Sequence, residues 1–166
     1  MIRDLARKLA TFSEYKSFVI IEATFQRGTF EAGVEILKNH ATMALLRARS
    51  SEAELLIKMI RPRREIKPAL GSRVQSSEKI WRIFTAQEIF SFVEEIGDRN
   101  QIHQLKPPIV PALLILETIC AAVQKNFVKL KFKNFITAGE PLSLHVVENR
   151  LEIKSAGVRK ILGELS

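Results

Sequence analysis

The chain has one cysteine, Cys120, so no internal disulfide is possible. A reducing, cytoplasmic setting is the expectation. Its three histidines, His40, His103 and His145, lie far apart with no metal-ligand spacing, so no metal site and no cofactor is expected. No apolar run reaches the roughly 18 residues of a membrane span. The longest, residues 109–123, carries Glu117 and reads better as a buried helix. The N-terminal residues 1–12 have basic side chains but no long apolar segment and no small-residue cleavage site, and Asp4 and Glu14 count against a targeting helix. Aromatic residues are not interleaved with the basic ones, and no zinc-finger or RNA-recognition pattern is present, which argues against nucleic acid.

What remains is a globular composition, 46% hydrophobic and 27% charged over 166 residues. That is enough for one ordinary core, or for two compact repeats sharing one. The net charge of +8 favours an acidic or phosphorylated partner.

Hydrophobic spacing predicts a short amphipathic helix over residues 3–12 and a strand over 16–25. Val34, Leu37, Ala41, Ala44 and Leu45 recur at helical spacing, so residues 30–49 read as a long helix ending at Ser50 and Ser51. Strands are expected at 54–60 and within 73–84, with a turn at Gly71. Thr85 followed three residues later by Glu88 is a capping box, opening a helix that stops at Gly97. A polar loop over 98–106 and three prolines lead into a second helix over 112–126. Strands are expected at 128–136, 142–147, 150–154 and 158–165, with turns at Gly139 and Gly157. Two stretches share one order, a long helix and then a strand turning at a glycine, in Lys67-Pro68-Ala69-Leu70-Gly71-Ser72 and in Phe135-Ile136-Thr137-Ala138-Gly139-Glu140. This is either an internal repeat or a coincidence of similar stretches.

The chemistry-bearing segment is Gly97-Asp98-Arg99-Asn100-Gln101-Ile102-His103. An imidazole can take or give a proton near neutral pH, a carboxylate can share a water with it, and an amide can orient both. In isolation, an Asp and a His in such a loop are more often polar residues that solvate a helix end. The segment closely resembles the loop of MaoC-like hydratases and dehydratases, including (R)-specific enoyl-CoA hydratase, which reads Gly-Asp-x-Asn-Pro-(Ile/Leu)-His. Only Gln101 departs, where that family has proline. Pro108-Ile109-Val110-Pro111-Ala112-Leu113-Leu114 is similar to the family's entry into its central helix, and residues 132–144 to its strand–turn–strand. The spacing from His103 to Pro108, Pro111 and Glu117 resembles that of β-hydroxyacyl-carrier-protein dehydratases.

Both resemblances imply an α+β hotdog fold, an antiparallel sheet wrapped around a long central helix. They imply Asp98 and His103 as the catalytic pair, Asn100 as supporting amide and Glu117 as the dehydratase acid. Ala112 stands where those families have glycine, and its backbone N–H is implied as the donor to the thioester carbonyl. Pro111 and Leu113 beside it would line the substrate. Coenzyme A or acyl carrier protein thioesters are the implied partners. Lys129, Lys131 and Lys133 alternate along one strand, and Lys58, Arg61, Arg63, Arg64 and Lys67 form a second basic run. Either group would bind phosphate or an acidic carrier, or form a solvated face.

The segment Arg27-Gly28-Thr29-Phe30, with Gly33, Val34, Ile36 and Leu37, resembles the dehydratase pattern with Thr29 in place of histidine and Lys38 in place of glutamate. This implies a degenerate hotdog-like repeat over residues 1–83, preceding a MaoC-like half over 84–166. The chain would then be a monomeric pseudo-dimer or a homodimer. The function implied is a (3R)-hydroxyacyl-thioester dehydratase or trans-2-enoyl-thioester hydratase. A non-catalytic acyl-thioester-binding module is the alternative, and a hotdog thioesterase using Glu117 is a further one.

Overall fold

A computed structural model describes residues 1–67 and 78–166. The chain opens with helix α1 (Ile2–Ala10) and a 3-10 turn (Ser13–Tyr15). Four strands follow: β1 (Val19–Arg27), β2 (Gly33–His40), β3 (Met43–Arg49) and β4 (Ala53–Ile60). Helix α2 (Ala86–Ile96), a second 3-10 turn (Gln101–Gln104) and helix α3 (Ala112–Val123) come next. The chain closes with β5 (Phe127–Phe132), β6 (Ser143–Val147), β7 (Arg150–Ser155) and β8 (Val158–Leu165).

All eight strands form one antiparallel sheet in the order β2-β3-β4-β1-β5-β8-β7-β6. The two halves of the chain join where β1 pairs with β5, with Ala23 opposite Leu130. Ala23 also stands opposite Ile57 of β4, and all three side chains are buried. The strands therefore pair without a break from β2 at one edge to β6 at the other, and α3 packs on the middle of the sheet, against β1 and β5. Leu113, Leu114, Ile115, Leu116 and Ile119 bury around the helix, as its largely apolar sequence requires. Helix α1 lies beside it, over β3 and β4, burying Ile2, Leu5, Ala6 and Leu9.

The capping box forms as its spacing dictates: Glu88 N–H donates to Thr85 Oγ1 at 3.1 Å, and Thr85 N–H to Glu88 Oε2 at 2.9 Å. Gly97 ends α2 in the left-handed region, φ +73°, which residues with a Cβ enter at a cost. Gly163 is required for a different reason. On β8 it faces Leu130 and Leu151, and a Cβ there would run into the Leu151 side chain.

The long helix expected over 30–49 is instead the β2–β3 hairpin, in which Ala44, Leu46 and Ala48 bury on alternate positions. The apolar residues there satisfy a period of two as well as one of 3.6, and pairing of β3 with β4 decides the outcome. The stretch compared with a dehydratase helix entry, from Arg27 through Lys38, is thus the end of β1, a turn and most of strand β2. The strand expected over 128–136 ends at Phe132, beyond which the chain is irregular. Of the strand expected within 73–84, Arg82 makes one bridge to Leu142, and residues 73–77 lie outside the described residues. The Gly71 turn and the Pro68-to-Ser72 part of the repeat also lie outside them.

Candidate active site

The loop after α2 brings three of the singled-out side chains together. Asp98 N–H donates to Val93 O at 3.0 Å, closing the helix end. Asp98 Oδ1 accepts the Asn100 backbone N–H at 2.8 Å, a local turn that holds the carboxylate. Asn100 Oδ1 accepts from Ile102 N–H at 3.3 Å and starts the 3-10 turn that carries His103. Asn100 Nδ2 reaches across the fold and donates to Phe18 O at 2.8 Å.

His103 is 5% exposed. Its Nδ1 lies 2.7 Å from Ile109 O, and because a carbonyl only accepts, Nδ1 carries a proton. Nε2 is left facing Asp98 Oδ2 at 3.3 Å. The imidazole is thus locked by one nitrogen and free to exchange a proton with the carboxylate side through the other.

Proline-rich chain leads from this pair to α3. Val110 N–H donates to Ile136 O at 2.8 Å, and Ala138 N–H to Pro108 O at 2.9 Å, fixing the helix entry against the 136–138 segment. Glu140 and Lys160 brace that segment. Glu140 Oε2 accepts Thr137 N–H at 3.0 Å, and Lys160 Nζ binds Glu140 Oε1 at 2.6 Å and Phe135 O at 2.9 Å. Pro111 caps α3 without a side-chain acceptor, so the first N–H groups of the helix, beginning at Ala112, receive no side-chain cap.

Asp98, Asn100 and His103 share a cavity of about 330 Å³ with Pro111, Ala112 and Leu113. Much of its wall comes from the first half of the chain: Tyr15, Phe18, Ile20 and Met59. None of these was singled out from the sequence. No motif marks them; their only local signal is an apolar run at the start of β1.

Glu117 does not join the group. It points to α1, where Arg3 Nε and Nη2 donate to its carboxylate at 3.0 and 2.9 Å. Arg3 also pairs with Glu95, and its guanidinium is held above its ordinary pKa, chiefly by the hydrogen bond to Glu117. Lys129 and Lys131 do not make a free cationic face. They pair with Glu22 at 3.4 Å and Glu164 at 3.8 Å. Lys133 is exposed and lines the cavity, with no acidic partner among the described residues. Arg61, from the second basic run, stacks 5.3 Å over the Phe18 ring. Burial pushes the Cys120 thiol up to about 12, so it stays protonated. His145 is exposed on β6. Among the described residues, no cluster of His, Cys, Asp and Glu could hold a metal ion, and no helix is long and apolar enough to cross a membrane.

No family model and no curated protein matches the sequence. Its fold, with a helix seated in a continuous antiparallel sheet, is that of a hotdog protein, and similar solved structures bear this out. HtdX from Mycobacterium tuberculosis is similar with a TM-score of 0.68 at 11% identity, covering 98% of this chain and 86% of that one. A MaoC-like dehydratase from Phytophthora capsici gives 0.55 at 12% identity, covering 92% and 70%. An acyl-ACP thioesterase from Bacteroides thetaiotaomicron gives 0.52 at 12% identity, covering 94% and 79%. The architecture is thus shared between dehydratases and thioesterases and does not by itself assign an activity.

Proposed function

We propose that this protein adds water to, or removes it from, the 2,3 bond of an acyl thioester. The observation that carries the reading is the convergence of Asp98 Oδ2 and His103 Nε2 at 3.3 Å in an apolar cavity that also holds the uncapped start of α3.

In hydration, the Asp98–His103 pair takes one proton from a bound water, whose oxygen bonds to C3. The π electrons move to the thioester as an enolate. The Ala112 N–H lies at a helix N-terminus, where developing negative charge on the carbonyl oxygen is favoured. The pair then returns a proton to C2, and the thioester is a 3-hydroxyacyl group. Dehydration runs the same steps backwards. Held by Ile109 O, Nδ1 keeps its proton and leaves Nε2 as the nitrogen that exchanges one. Asn100 is a positioning residue: its backbone N–H holds Asp98, and its side chain caps the turn that carries His103 and ties the loop to Phe18, just before β1. Lys133, at the cavity, suits the phosphates of coenzyme A or of a carrier-protein arm. Pairing of Glu117 with Arg3 weighs against a thioesterase reaction, which would need that carboxylate facing the substrate.

The test follows absorbance at the enoyl-thioester band with crotonyl-CoA and a longer trans-2-enoyl-CoA. Wild type removes the band, while Asp98→Asn and His103→Ala slow it by ~100-fold or more. Acyl-CoA binding with no change of absorbance at any chain length would contradict turnover and leave a binding module, which the extra methyl of Ala112 would suit.

A further inference from the structure

A second cavity, of about 430 Å³, adjoins the first under α1. Its apolar wall includes Leu9, Phe12, Leu46 and Ile57. The two share Tyr15, Ile20, Met59, Ile96, Asp98 and Leu113, so they meet beside the candidate carboxylate. At this junction stands the chain's one tyrosine. Tyr15 is 5% exposed, with its ring edge-on to Phe12 at 6.4 Å and to Phe18 at 5.2 Å. Its hydroxyl has no hydrogen-bond partner among the described residues. Buried hydroxyls are nearly always paired, and an orphan one on a residue that lines both cavities calls for an explanation. Burial raises its pKa, and so, to a lesser extent, does the charge of Glu14, so the group remains a donor.

We propose that the second cavity receives the distal part of the acyl chain and that Tyr15 donates a hydrogen bond to an oxygen carried on that chain. The preferred substrates are then acyl thioesters bearing a hydroxyl or oxo group a few carbons beyond the reacting bond. This rests on the acyl-thioester reading above and adds the substrate class. An all-apolar wall would have served a plain chain; a donor held there without a partner lowers its free energy only when the ligand brings an acceptor.

The experiment is calorimetric binding of saturated, unreactive thioesters, which needs no turnover. Butyryl-CoA, decanoyl-CoA and chain-hydroxylated decanoyl-CoA are titrated into wild type, Tyr15→Phe and Leu46→Trp. Wild type is expected to bind the hydroxylated chain about tenfold more tightly than the plain one, and Tyr15→Phe to erase that ratio. Leu46→Trp, which fills the second cavity, is expected to weaken decanoyl-CoA relative to butyryl-CoA by about tenfold. Equal binding of the two long chains by wild type, or a ratio that survives Tyr15→Phe, overturns the role of Tyr15. An unchanged chain-length ratio in Leu46→Trp overturns the placement of the chain. Failure of every acyl-CoA to bind overturns the acyl-thioester reading itself and this inference with it.

Discussion

Asn100 Nδ2 and the carbonyl of Phe18, 82 positions apart in the chain, are joined by a 2.8 Å hydrogen bond. Through it the loop carrying Asp98 and His103 is fixed to the segment that opens β1. The two halves of the chain thereby share one cavity. Replacing Asn100 by Ala removes the side-chain cap of the 3-10 turn that carries His103 and the bond to the Phe18 carbonyl. The account predicts a loss of about 1–3 kcal/mol in urea unfolding. It predicts a fall of roughly 10- to 100-fold in kcat with a smaller change in KM, since the loss is of geometry rather than of substrate contact. Steady-state kinetics on a trans-2-enoyl-CoA checks both parameters.

Glu117 supports packing of α1 on α3 through Arg3. Both side chains are about a third exposed, so solvent screens the pair. Glu117→Gln is therefore expected to cost about 1 kcal/mol or less in thermal unfolding and to leave enoyl-thioester turnover within a factor of about 3. Loss of turnover with an intact melting curve would place Glu117 in the chemistry after all.

The Lys160–Glu140 pair is the opposite case. Both side chains are largely buried, 11% and 14% exposed, and Lys160 also holds Phe135 O. Lys160→Met leaves Glu140 as an uncompensated carboxylate beside the segment that anchors the α3 entry. Destabilisation of about 3 kcal/mol is expected, read as a fall in Tm on the order of 10 °C. Lys160→Met with Glu140→Gln should recover part of it.

Cys120 gives a pH dependence with a definite sign. Its thiol titrates at about 12 in the folded chain, mainly through burial, against an ordinary value of 9.0. Between those values the unfolded chain has lost a proton that the folded chain keeps, so this residue lowers stability as pH rises from 9 towards 12. Cys120→Ala should flatten that part of the pH–stability curve measured by urea unfolding. Iodoacetamide at pH 8 should label the thiol of the native protein far more slowly than that of the denatured one.

Much of the site could be read from residues close together in the chain, because its determinants are local. The capping box at Thr85 and Glu88, the glycine stop at Gly97 and the Asp98-to-His103 turn each depend on neighbours within a few positions. Helix α3 was legible because, Glu117 and Thr118 apart, it is apolar over about three turns. The β2–β3 hairpin was not, because Ala44, Leu46 and Ala48 declare a strand only once β4 lies beside them. The partner of Glu117 lies 114 positions away, and no spacing rule reaches it. Likewise Tyr15, Phe18 and Met59 enter the cavity wall only through the join between β1 and β5 and the packing of α3 beneath it.

The most direct test of the central claim is the fate of oxygen from heavy-oxygen water. Purified protein is incubated with a trans-2-enoyl-CoA in labelled water, and the products are analysed by mass spectrometry. Label is expected on C3 of an intact 3-hydroxyacyl-CoA, and none with Asp98→Asn. Label confined to the carboxylate of a released acid, with none on C3, would contradict it and make the protein a thioesterase.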